Sequence, residues 1–154
     1  MVSDLFSENC YLNYKFPKPQ YLGAKYVHRT WIAQYIPADT NVVLDAFGGS
    51  QSIAYLLKQL GKQTYTNDFL SFNNQIGKAL IENPGVSLSK ADVEILFSAN
   101  RKPEEFNLME TLFTDLFFER EETIFLDSFR SNIELLDNPY KQALAFAVMC
   151  RSMT

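Results

Sequence analysis

Two acids and a pair of adjacent glycines have the types and spacing that chemistry would use. Asp45 ends a short β-branched run, Val42-Val43-Leu44, and is followed at once by Ala46-Phe47-Gly48-Gly49-Ser50-Gln51-Ser52. A helical pattern starts there, with Ile53, Leu56, Leu57 and Leu60 at helical spacing and Gly61 closing it. Strand, glycine turn and helix in this order let a ligand press on bare backbone at a helix N-terminus, where N–H groups point outward. The second acid, Asp68, falls 21 residues after Phe47 and ends Gln63-Thr64-Tyr65-Thr66-Asn67-Asp68, a run rich in β-formers. A carboxylate at the end of a second strand suits acceptance of hydrogen bonds from ribose hydroxyls. The same spacing suits a purely structural turn in which Asp68 caps the next helix, and spacing alone leaves both open.

Other chemistries find little support. The dinucleotide pattern Gly-x-Gly-x-x-Gly and the phosphate-loop ending Gly-Lys-Ser/Thr are both absent. His28 is the only histidine, so no Ser/His/Asp constellation is credible, and it is expected to be an ordinary residue of a basic helix. Cys10 and Cys150 have no metal-ligand spacing and cannot build a disulfide framework; both are expected to be free thiols, and no metal is expected.

The elements that must position these residues follow from periodicity. Phe16-Pro17-Lys18-Pro19 cannot be helix interior, because each proline removes a donor and biases its predecessor to extended geometry. A helix follows, with Tyr26, Val27, Trp31, Ile32 and Tyr35 on its apolar face, Trp31 as its core anchor and Pro37 as its stop. The strand Val42–Phe47, the helix to Leu60, the strand Gln63–Asp68 and a helix from about Ser71 to Ile81 make a βαβα unit with parallel strands. After Gly85 strand signals fade. Helices are expected over Ala91–Phe97 (capped by Ser89), Phe106–Phe118, Glu121–Leu136 and Tyr140–Met149, with Pro139 in the first turn of the last. The fold class is therefore α/β, two parallel strands with helices over residues 1–84, followed by a helical segment over 85–154. Two strands cannot complete a doubly wound sheet, so the chain is expected to be part of a longer architecture.

The bulk numbers suit one soluble domain: 154 residues, 47% apolar, 21% charged, net charge −4. The 13 Phe and 8 Tyr are read as core packing for the most part. Between Asn13 and Gln34 there is no acid, while Lys15, Lys18, Lys25, His28 and Arg29 lie there; residues 85–154 carry twelve acids against seven bases. The basic stretch could face an anion or be a solvated face. No apolar run is long enough to span a membrane, and without a basic, apolar leader the expected location is cytoplasmic.

Tyr21-Leu22-Gly23-Ala24-Lys25, Asp45-Ala46-Phe47-Gly48-Gly49-Ser50 and Asn67-Asp68 together resemble the Dam-like adenine-specific DNA methyltransferases, which carry such motifs in this order. Phe125-Leu126-Asp127 and Asn132-Ile133-Glu134 extend the resemblance, which covers the chain from about Lys15 onward. The resemblance implies a partial Rossmann-like unit that binds S-adenosylmethionine and, in the complete enzyme, double-stranded DNA. It implies that Phe47, Gly48, Gly49 and Ser50 shape the turn against the cofactor, that Asp45 meets its methionine ammonium, and that Asp68 accepts from its ribose hydroxyls. Tyr21 and Gly23 would pack at the methionine end, with Lys25 near cofactor and DNA. A cationic sulfonium and ammonium ligand fits acids at strand ends better than a triphosphate does.

Two positions depart from the family pattern. Gln51 stands where the family usually carries a second glycine, and a side chain there is expected to crowd the cofactor or to demand negative φ. The Asp-Pro-Pro-Tyr element that polarises the adenine amine and stacks on the flipped base is missing. Its nearest match, Asp137-Asn138-Pro139-Tyr140, follows a helical run and is expected to be an inter-helix turn, the true element lying beyond Thr154. The first expectation is thus an N-terminal part of an adenine methyltransferase, inactive alone. The alternatives are a degenerate or truncated homologue that binds cofactor or DNA without catalysis, and an unrelated nucleotide-binding α/β protein.

Overall fold

The computed structural model describes residues 23–99, 102 and 104–153. These fall into two compact units, one ending at Glu82 and one running from Asn83 to Met153. Tyr21, one of the expected site residues, and Cys10 lie outside the described residues.

The first unit is built on β1 (Val42–Asp45) and β2 (Gln63–Thr66), which pair in parallel with Val42 opposite Gln63 and Asp45 opposite Thr66. Parallel neighbours need a crossover, and α2 (Ser52–Gln59) supplies it, burying Ala54 and Leu57. Both strands are shorter than expected. Past their ends the two segments stay tied, with Asn67 N–H donating to the Asp45 carbonyl and Gly48 N–H to the Asn67 carbonyl, each at 2.9 Å. Helix α3 (Ser71–Gly77) buries Asn73, Ile76 and Gly77 and runs on into a π-helical turn, Lys78–Glu82. Lys58 on α2 donates to the Leu80 and Ile81 carbonyls of that turn at 3.1 and 2.7 Å.

The segment before the sheet corrects one expectation. A 3-10 turn (Tyr26–His28) leads into α1 (Arg29–Ala33), which packs on α2 and buries Ala33. Trp31 is not a core anchor: it is 59% exposed and meets Tyr35 edge-on with ring centroids 4.8 Å apart. Val27 and Tyr35 of the expected apolar face are exposed as well, and a helix of five residues turns only a narrow stripe inward, here the buried Ala33 and the half-buried Ile32.

The second unit is helical: α4 (Lys90–Leu96), α5 (Leu108–Phe113), α6 (Arg120–Ile133) and α7 (Pro139–Ser152). Its core joins Leu96, Phe129, Ile133, Leu136 and Ala145, with Leu88, Phe146 and Met149 packed against them. Phe97 meets Phe125 and Phe129 at centroid distances of 5.6 and 5.7 Å. Ser89 caps α4 in a reciprocal box with Asp92. The helix expected over Phe106–Phe118 is only Leu108–Phe113. Asp115 takes φ +61° and its N–H donates to the Phe118 carbonyl, which closes a turn instead of continuing the helix. Asp137–Tyr140 is the turn into α7, with Asn138 Oδ1 accepting from Tyr140 N–H at 2.8 Å and Pro139 at the first helical position.

Candidate functional site

The glycine turn and the end of β2 form one hydrogen-bonded assembly. Gly49 takes φ +49°, and its N–H donates to Asp68 Oδ2 at 2.8 Å. The other carboxylate oxygen, Oδ1, accepts from Leu70 N–H at 2.9 Å and from the Asn73 amide at 3.0 Å. Asn74 completes the loop: its Oδ1 accepts from Asp68 N–H and its amide donates to the Asp68 carbonyl. Donors from Asn73 first, then from Leu70, Gly49 and Phe69, hold the Asp68 carboxyl below the usual carboxylate range. Asp68 is thus an ionised clamp between turn and α3. It joins the turn to the start of α3 without capping that helix, and capacity is left on Oδ2 for a further donor.

Asp45 behaves differently. Half-buried at the end of β1, its carboxyl feels the Phe47 and Ala54 N–H groups at the start of α2. Burial raises its carboxyl above the ordinary range; the two N–H groups pull downward and the Asp68 charge pushes up again. Two neighbouring carboxylates make this helix start a poor host for a phosphate and a good one for a cation.

Gln51 overturns the expectation that a side chain there demands negative φ. It takes φ +63°, the left-handed conformation of a glycine, and its side chain is fully buried behind the turn. Its Oε1 accepts from Thr66 Oγ1 at 2.7 Å, and its Nε2 donates to the Asn73 carbonyl at 3.3 Å and the Gly49 carbonyl at 3.4 Å. Left-handed backbone in a non-glycine residue costs roughly 1–2 kcal/mol; hydrogen bonds worth about 1 kcal/mol each offset it. The packing is tight enough that a Cβ on Gly48 would lie 2.4 Å from Thr66 Oγ1 and 2.6 Å from Gln51 Nε2. Gly48 and Ser50 are buried with Gln51, whereas Phe47 is 87% exposed beside the turn.

The structure therefore brings Asp45, Gly48, Gly49, Ser50 and Asp68 together, with Phe47 at the rim. Gly23 and Lys25 lie on the lead-in to α1, where Lys25 Nζ donates to the Gly23 carbonyl at 2.7 Å. Thr66, Asn73 and Asn74 are the residues that sequence reasoning missed. Asn73 had a readable signal: it shares a helical stripe with Ile76 and Gly77, and a buried amide on an apolar stripe needs partners. Among the described residues no group of three or more His, Cys, Asp or Glu could hold a metal ion, and no helix is long and apolar enough to cross a membrane.

A parallel βα unit with an acid at each strand end, and a glycine turn between, places this chain in the α/β class. The chain belongs to the D12 class N6 adenine-specific DNA methyltransferases, a family that matches it over residues 21–154. It is 40% identical over 141 residues to the Type II methyltransferase M2.HphI of Haemophilus parahaemolyticus. That match covers 92% of this chain and 41% of the relative, so the chain spans less than half of that protein's length. No solved structure matches the chain.

Proposed function

We propose that this chain is the cofactor-binding portion of a DNA adenine methyltransferase, built as a partial Rossmann-like unit around an S-adenosylmethionine site. The observation that carries the reading is the pair of carboxylates, Asp45 and Asp68, flanking the Gly48-Gly49 turn. When bound, S-adenosylmethionine supplies an electrophilic methyl group, whose acceptor in this reading is the exocyclic amine of adenine in double-stranded DNA. The residues present fit that group. Asp45 would offset its ammonium charge, the spare acceptor on Asp68 Oδ2 would take a ribose hydroxyl, and Phe47 would offer an apolar face beside the turn. Tyr21 and Gly23 are proposed for the methionine end, Lys25 for a place near cofactor and DNA, and Ser50 for the floor of the turn.

Residues 1–154 alone are proposed to be catalytically inactive. Asp137–Tyr140 caps a helix and does not end a strand. Val42, Leu44 and Tyr65 are exposed on one face of the described sheet, as expected if further polypeptide completes the fold. Calorimetric titration with S-adenosylmethionine and with ATP tests the site: the methyl donor binds and ATP does not. A tritiated methyl-transfer assay on adenine-containing duplex DNA tests inactivity, and turnover by the isolated chain refutes it.

One observation favours the second reading, a cofactor- or DNA-binding module without catalysis. Asp68 already accepts three hydrogen bonds within the protein, which leaves a single acceptor site, on Oδ2, for a ligand. Failure of S-adenosylmethionine to bind at millimolar concentration would select a scaffold role.

A further inference from the structure

We propose that Gln51 is a positioning residue for the glycine turn, a latch whose carboxamide fixes the backbone against which the ligand sits. The proposal rests on the reading of the turn as a ligand site. Gln51 is fully buried and touches three elements at once: Thr66 at the end of β2, the Asn73 carbonyl in α3 and the Gly49 carbonyl in the turn. Its own N–H donates to the Gly48 carbonyl at 2.7 Å, and its carbonyl accepts from Tyr55 N–H at 2.8 Å, which ties the turn to the first turn of α2. A glycine at position 51 would permit the same φ but would leave nothing between the turn, β2 and α3. Here the left-handed backbone is held by a side-chain wedge, and the lack of a Cβ on Gly48 and Gly77 makes the room for it: a Cβ on Gly77 would come within 2.9 Å of Thr66 Cγ2 and 3.4 Å of Gln51.

Because the amide donates to the Gly49 carbonyl while Asp68 accepts from the Gly49 N–H, both sides of that residue are fixed. Thr66 orients the amide: its hydroxyl occupies Oε1, so Nε2 is left to face the two carbonyls. Thr66 and Gln51 therefore act as one unit. Loss of either should loosen the turn by the same route, and loss of both should add little to the first loss.

The test uses the 154-residue chain and the variants Q51M, T66V, T66S and Q51M/T66V. Met keeps the volume and the backbone demand of Gln51 without its hydrogen bonds; Ser keeps the hydroxyl of Thr66. Calorimetric titration with S-adenosylmethionine is expected to show affinity reduced on the order of five- to tenfold in Q51M and T66V. T66S is expected near wild type, and the double variant no weaker than Q51M. In amide hydrogen exchange, Gly49 is expected to exchange about tenfold faster in Q51M and T66V, with Leu56 and Leu57 in α2 unchanged. Wild-type exchange at Gly49 in both variants, or unchanged affinity with T66S no different from T66V, overturns the latch. If the wild-type chain binds no S-adenosylmethionine, the ligand reading fails and the Gly49 exchange rate alone decides the latch. If Q51M does not fold, the contrast between T66V and T66S decides it.

Discussion

The Gly49 N–H donates to Asp68 Oδ2 across 19 residues of sequence, at 2.8 Å, and so joins the turn after β1 to the end of β2. Substituting Asp68 tests how much of the turn this bond holds. D68A removes a charged acceptor from Gly49, Leu70 and Asn73 and is expected to lower unfolding free energy by about 1–3 kcal/mol, measured by urea denaturation. D68N keeps one acceptor oxygen and should lose less. Both should weaken S-adenosylmethionine binding by at least about tenfold, the equivalent of roughly 1.4 kcal/mol.

Asp45 gives the ligand site a pH dependence. Its carboxyl sits above the ordinary value of 3.8 because of burial, so acidification neutralises it earlier than an exposed acid. A cationic ligand favours the charged form, so affinity should fall as pH drops from neutrality through the Asp45 pKa. D45N should bind weakly with a flat profile over that range. For stability the sign is the reverse. A folded-state value above the unfolded one means that the folded chain holds the proton more tightly, so ionised Asp45 costs stability at neutral pH. The melting temperature of D45N at pH 7 is therefore expected not to fall, although binding does. Calorimetry and thermal melts from pH 4 to 8 check both halves.

In the second unit, Asp92 supplies an acid-labile contribution. Hydrogen bonds from the Ser89 hydroxyl and N–H and from Lys141 Nζ at 3.0 Å hold its carboxyl down at about 2, against an ordinary 3.8. A depressed folded-state value stabilises above the unfolded pKa, and the contribution is lost as pH falls from about 4 to about 2. Thermal melts over this window should show the wild type losing stability more steeply than D92N. Lys141, raised by Asp92 and Asp137, acts in the opposite sense and loses its contribution only above the ordinary lysine value of 10.5.

Asp127 caps a helix that is not its own. Buried on α6, it accepts from Met109 N–H at 3.1 Å and Glu110 N–H at 2.9 Å, at the N-terminus of α5, whose own Asn107 makes no side-chain cap. D127A should destabilise the chain by about 1–3 kcal/mol and release the amides of Met109 and Glu110 to faster exchange. Equal exchange in variant and wild type would show that α5 stands without the cap.

Much of this molecule is local, and the local part was legible. Strand, glycine turn, helix and second strand follow from residue types and periods within a few positions of one another. So do the Ser89 cap, the turn at Asn138-Pro139 and the motif order that points to the methyltransferase family. Boundaries were less legible. The helix read as Phe106–Phe118 stops at Phe113, with Asp115 at positive φ just beyond it, and Trp31 lies on the exposed side of α1, whose inward side carries Ala33 and the half-buried Ile32.

What tertiary structure alone decided is the direction of side chains that meet across the fold. Gln51 looked like an obstruction at a glycine position, yet it turns inward and finds Thr66 and Asn73, 15 and 22 residues away. Spacing left a ribose contact and a structural turn both open for Asp68, and the fold adds Gly49, Leu70 and Asn73 as donors that converge on it. Periodicity reports which face of an element is apolar, because that depends on neighbours three and four residues along. It carries no information about which buried polar groups pair, because that depends on how β2 and α3 close over the turn.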